Sequence, residues 1–127
     1  MSALILDAGT LVSVDRNDRA MIARLRASQQ HGLELRTNAM VVAQVWRDRH
    51  GRQVNLARLL QAVDVRAVSQ RDGRDAGILQ AAAGTSDAID ATVVLLASVG
   101  DRILTSDPGD IARLAAAADN RAVVIMC

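Results

Sequence analysis

A chain of 127 residues, half of them hydrophobic, is long enough to bury the core of one domain and is expected to form a single domain over 1–127. Its 15 basic residues, every one an arginine, nearly cancel 14 acids, so net charge selects no class of partner. The only cysteine, Cys127, excludes an internal disulfide, and a four-residue first apolar run followed by an acid is unlike a secretory leader. With no segment near the ~20 apolar residues of a membrane span, a cytoplasmic protein with no membrane partner is expected.

Met1–Gly9 organises the chain. The apolar run Ala3 to Leu6 ends in Asp7, and Ala8-Gly9-Thr10 reads as a turn. Such a run suits a buried parallel strand, which places the acid at its carboxyl end. Leu11 to Val14 reads as a short helix and Asp15 to Asp18 as a polar break. Asp18 to Gln30 has helical apolar spacing and is closed by His31-Gly32. Leu33 to Arg36 alternates as a strand. Thr37 or Asn38 caps a helix through Trp46 that fades into the charged stretch Arg47 to Arg52. Further elements are a helix over Asn55–Ala62, a strand over Asp64–Val68, and a helix from Ser69 or Gln70 to Ala83 stopped by Gly84.

Thr85-Ser86-Asp87 caps a helix over Ala88–Ser98 that is apolar on nearly every side and so expected to be buried. Gly100-Asp101 turns into a strand, Arg102 to Ser106, which runs into Asp107. Pro108 then opens a helix to Ala118, and Asp119-Asn120 leads to a last strand, Ala122 to Met126. Strands alternating with helices indicate an α/β domain, a parallel sheet covered on both faces.

Two strands that deliver aspartates to one sheet edge suggest a shared metal or phosphate site, because ligands bind at that edge in open α/β sheets. Each acid also has a plain structural reading. Asp7 suits a turn, Asp107 a helix cap, and Asp110, Asp87 and Asp90 the first turns of helices. Asp90 resists that reading, since a carboxylate on so apolar a helix needs a cation and the chain has no lysine. A hard divalent cation shared by Asp7, Asp90 and Asp107 meets the need. No dinucleotide or P-loop signature is present. His31 and His50 fall in loops and read as surface residues. Metal-assisted hydrolysis of a phosphodiester survives this pruning.

The segments Ile5-Leu6-Asp7-Ala8-Gly9, Thr37 to Arg47, Ser86 to Ala91 and Leu104-Thr105-Ser106-Asp107-Pro108, in that order, resemble the PIN-domain ribonucleases, and within them the VapC toxins of type II toxin–antitoxin pairs. The resemblance implies a PIN-like three-layer sandwich with a five-stranded parallel sheet flanked by helices. It also implies Mg²⁺ or Mn²⁺ held by Asp7, Asp90 and Asp107, with Asp87 and Asp110 as additional positions. The implied activity is endoribonuclease cleavage of tRNA or rRNA, restrained by a VapB-type antitoxin, in a protein that forms a homodimer. One position departs from the pattern: Gln44 stands where the family places a glutamate, and it is either a further ligand or second-sphere group or an ordinary helix-contact residue.

Arg16, Arg19, Arg47, Arg49 and Arg52 are candidates for RNA phosphate, although each also suits a solvated surface. Thr10, Thr105 or Ser106 could hydrogen-bond a phosphate oxygen or an acid in the site, but Ser/Thr at such turns are more often local backbone caps, which leaves them outside the catalytic set. The alternative to a nuclease is a catalytically weakened PIN-like binding module for an antitoxin or RNA, which Gln44 favours. A small metal-dependent phosphatase has the acid cluster alone behind it.

Overall fold

A computed structural model describes residues 2–48, 50–118 and 123–126. The expected Asp119-Asn120 turn, Ala122, Arg49 and Cys127 lie outside the described residues. The chain runs β1 (Ala3–Leu6), α1 (Ala8–Asp15), α2 (Arg19–Gln30), β2 (Glu34–Asn38), α3 (Ala39–Val45), α4 (Val54–Gln61), β3 (Asp64–Arg66), α5 (Gln70–Ala83), α6 (Ala88–Leu95), β4 (Arg102–Thr105), α7 (Pro108–Ala117) and β5 (Val123–Met126).

All strand pairs are parallel, in the order β3-β2-β1-β4-β5. β1 is central and buried along its whole length, as a strand covered on both faces must be. The chain first steps from β1 through β2 to β3, then crosses to β4 and steps outward to β5. With right-handed crossovers, that reversal puts the helices of the two halves on opposite faces. The packing agrees: α1 lies against α2, α3 and α4, whereas α5, α6 and α7 pack on one another. Leu11, Leu25 and Val41 from the first set, and Val93, Ile111 and Leu114 from the second, are buried against Ile5, Leu6, Ile103 and Leu104. Each such side chain contributes about 1.5–3 kcal/mol of transfer free energy. Among the described residues, no helix is long and apolar enough to cross a membrane.

Several elements differ from the sequence expectation, each for a local reason. Ala8-Gly9-Thr10 is not a turn before the first helix but its first turn, because the Asp7 side chain accepts from Thr10 N and caps the helix directly off the strand. β2 runs on to Asn38, where Thr37 Oγ1 donates to the carbonyl of Leu6 and Asn38 caps α3. β3 is shorter than Asp64–Val68. Helix α6 stops at Leu95, short of Ser98. The Leu96 and Ala97 amides tighten onto carbonyls three residues back, and the Asp101 carboxylate takes Ser98 N, drawing the chain into β4. α6 is also not buried all round, since Ala91 to Val94 are covered but Leu95 is 39% exposed.

Candidate metal centre at the sheet switch point

β1 and β4 are the neighbours between which the strand order reverses, the position where open α/β sheets form their ligand crevice. Asp7 follows β1, and Asp107 lies two residues beyond the end of β4. Asp7 N donates to the carbonyl of Leu104, which holds the two strand ends level. Helices α1, α6 and α7 all start near this edge, and acids at their first turns are favoured by the helix dipoles.

Asp90, Asp107 and Asp110 come together, with one carboxylate oxygen from each within 4.8 Å of the others. Asp107 occupies the N-cap position of α7, yet its side chain makes no capping bond, so the carboxylate is not consumed by the helix start. Asp110 lies one turn further along the same helix and also faces Arg113 at 3.9 Å in an exposed pair. Asp90 is half-buried, and its carboxyl is pushed up to about 7, first by burial and then by repulsion from Asp87, Asp107, Asp7 and Asp110. Negative charge here is thus undercompensated by the protein itself. An all-carboxylate donor set with that imbalance fits a hard divalent cation such as Mg²⁺ or Mn²⁺.

The remaining expected residues occupy other roles. Asp7 is 5% exposed and stands beside the three-acid group rather than within it. Its Oδ1 accepts from Thr10 N, while Oδ2 accepts from Thr105 Oγ1 and from Ser106 N at 3.1 Å. One lone pair of Oδ1 stays open. The Asp87 carboxylate caps α6 through Ile89 N and Asp90 N. Gln44 is exposed on α3.

Two groups of positioning residues support the acids, the first among the expected hydroxyls and the second missed by the sequence reading. Thr105 takes both roles expected of it, donating to Asp7 across 98 residues of sequence and accepting locally from Asp107 N. Asn38 does cap α3, but its Nδ2 in addition donates to Thr92 Oγ1, which donates to the carbonyl of Ile89. This chain of bonds ties α3 to the turn of α6 that carries Asp90.

Gly9 belongs to the site because of what faces it. A Cβ there would stand 2.2 Å from Ser106 Oγ and 2.6 Å from Ser106 Cβ. Gly9→Ala is therefore expected to push Ser106 and its amide off Asp7, destabilising the fold by about 1–3 kcal/mol and weakening divalent-ion binding. Thermal unfolding with and without Mg²⁺ checks this, and an unchanged midpoint in both would show that the two segments have room to part.

A groove among the described residues lies away from the acids. It encloses about 550 Å³ and runs between α2 and α4, lined by Val14, Ile22, Leu25 and Leu59 below and by Arg19, Arg26 and Arg58 among its polar residues.

A parallel α/β sheet with a carboxylate cluster at its switch point defines a class of proteins suited to divalent cations and phosphate groups. Across its full length, the chain is similar to one in the crystal structure of VapBC2 from Rickettsia felis bound to a DNA fragment from their promoter. The TM-score is 0.72 at 11% identity, covering 100% of this chain and 99% of that one. At that identity the likeness shows the shared fold. No family model and no curated protein matches the sequence.

Proposed function

We propose that this chain is a metal-dependent endoribonuclease, the toxin of a VapBC-type pair, acting on tRNA or rRNA in the cytoplasm. The observation that carries the reading is the convergence of Asp90, Asp107 and Asp110 at the switch point, with Asp107 free of capping duty. The likeness to a VapBC structure supports it at the level of fold. The PIN-like three-layer description and assembly as a homodimer are part of the same proposal.

Asp90, Asp107 and Asp110 would hold the ion, with the open lone pair of Asp7 as a further donor. A bound divalent cation supplies Lewis acidity and charge neutralisation at a phosphodiester. The protein does the rest through fixed groups. Thr105 and Ser106 N orient Asp7, the Asn38–Thr92 bond holds the first turn of α6, and Asp90, whose carboxyl is raised by burial and its acidic neighbours, would hold the ion in its deprotonated form. The arginine-edged groove between α2 and α4, apolar beneath, suits an amphipathic antitoxin segment with acidic residues on its polar side.

The test is incubation of a total tRNA and rRNA pool with Mg²⁺ or Mn²⁺, with EDTA, and with Asp7→Ala. Metal-dependent fragments lost in the variant are expected. An intact pool from folded, antitoxin-free protein would overturn the nuclease reading and favour the second one, a PIN-like binding module that has lost catalysis. Gln44 is the observation behind that alternative, and Gln44→Glu separates the two. In a working site, the added carboxylate tightens Mg²⁺ binding by about tenfold, as ligand charge does in oxygen-donor sites. In a degenerate site, calorimetry sees no gain.

A further inference from the structure

We infer that Trp46, with Arg47, Arg52 and Arg16, forms a stacking platform for single-stranded RNA at the end of α3 opposite Asn38, an inference that rests on the nuclease reading for its choice of ligand. Trp46 is the only aromatic residue of the chain, and it is 38% exposed at the C-cap of α3. A ring of that size left partly in water forgoes the large burial that aromatic side chains ordinarily contribute.

The loop that follows the ring is held in place and carries arginines. The buried side chain of Gln53 closes the loop after α3 with three bonds. Its Oε1 accepts from Arg47 N at 2.6 Å, and its Nε2 donates to the carbonyl of Val45 at 2.9 Å and to Asp15 at 3.2 Å. Those bonds hold the backbone on either side of Trp46, and the end of α1 at Asp15, against Gln53; Arg52 and Arg16 are each one residue from that junction in sequence. The Arg47 guanidinium is further fixed on the last carbonyls of α3, from Ala43 and Trp46. Asp15 and Asp48 are the nearby acids, and both are engaged by Gln53. Among the described residues, neither Arg16 nor Arg52 is in an ion pair.

An exposed indole on an arginine-bearing loop suits a base face with phosphates on either side of it. That pairing recognises single strands, because a duplex hides the base faces. The patch also has a route to the acids. Helix α3, seven residues and about 10 Å long, carries it at one end, and at the other is bonded through Asn38–Thr92 to the turn of α6 that bears Asp90. A strand seated on Trp46 is thus led toward the site.

The lone tryptophan reports on its own occupancy. In EDTA at low salt, a short single-stranded oligoribonucleotide is expected to quench its fluorescence, and the same sequence as a duplex to leave it unchanged. By anisotropy of labelled oligonucleotide, Trp46→Leu weakens binding about tenfold, the scale of one lost base–aromatic stack, and Trp46→Phe retains most of the affinity. Arg52→Gln, at an exposed position, lowers the slope of log affinity against log salt by about one. A chain that cleaves RNA with Mg²⁺ but shows neither quenching nor a Trp46→Leu effect overturns this inference alone. Binding through Trp46 without cleavage under any metal instead removes the nuclease reading and leaves the platform standing.

Discussion

Asp90→Asn is expected to abolish metal-dependent RNA cleavage, by roughly three orders of magnitude in kcat/KM, the scale of losing a preorganised charge at a reacting phosphate, while raising the thermal stability of the metal-free protein at pH 8. Both effects have one origin. The Asp90 carboxyl, pushed up to about 7 by burial and by four neighbouring aspartates, holds its proton more tightly folded than unfolded. The resulting stabilisation is complete below the ordinary carboxylate value of 3.8 and is lost as pH rises through 7. Asparagine imitates the protonated form and keeps that stabilisation at every pH, at the expense of a metal ligand. The wild type should accordingly bind Mg²⁺ about tenfold more weakly at pH 6 than at pH 8, since the ion must displace the proton. Calorimetric titration at the two pH values, beside melting curves of both proteins in EDTA, checks the set. Equal affinities at pH 6 and 8, with no gain in melting temperature for the variant, would show that Asp90 does not carry the excess charge.

Asp101→Ala is expected to be the most damaging single change to the fold away from the acids, at about 2–4 kcal/mol, a large part of the ~5–15 kcal/mol that holds a domain of this kind. The carboxylate is 4% exposed. It accepts from Ala3 N and Ser98 N, both at 2.8 Å, and lies 4.0 Å from Arg36, which also meets Glu34 and Asp64 at 3.4 Å. Truncation leaves the Ala3 amide buried without an acceptor and frees the turn into β4. Asp101→Asn keeps one acceptor oxygen for one of the two amides and should lose about half as much. Urea denaturation separates the three proteins by midpoint, and a loss below 1 kcal/mol for the alanine variant would mean that water reaches Ala3 N.

Much of this was legible in the sequence because it is local. An apolar run ending in Asp7, a helix too apolar to be bare around Asp90, and a strand running into Asp107 each show within ten residues. Asp110 was legible too, three residues past Asp107 on one helix, but the dipole reading accounts for it equally well until its carboxylate is seen against Asp90. Asp101 looked like half of a Gly-Asp turn, since its main partner, Ala3, is 98 residues away. That Thr105 and Ser106 could bond a site acid was readable, but not that the acid is Asp7, nor that Gly9 is small because Ser106 faces it. Such contacts arise only once β1 and β4 lie side by side. Asp107 shows the converse: its position as a helix cap was readable, whereas the absence of the capping bond depends on where its side chain turns.

That pairing of β1 with β4 bears on when the acidic centre is assembled during synthesis. Leu4 to Leu6 must wait for Arg102 to Leu104 before the central strand gains its second neighbour, and long-range parallel pairing of this kind forms late. A chain still on the ribosome with its first hundred residues emerged holds Asp7 and Asp90, but neither Asp107 and Asp110 nor the Thr105 hydroxyl that orients Asp7. The acidic centre would then be assembled only after residues 102–110 have emerged, so on the nuclease proposal a product cut short before them would lack its metal site.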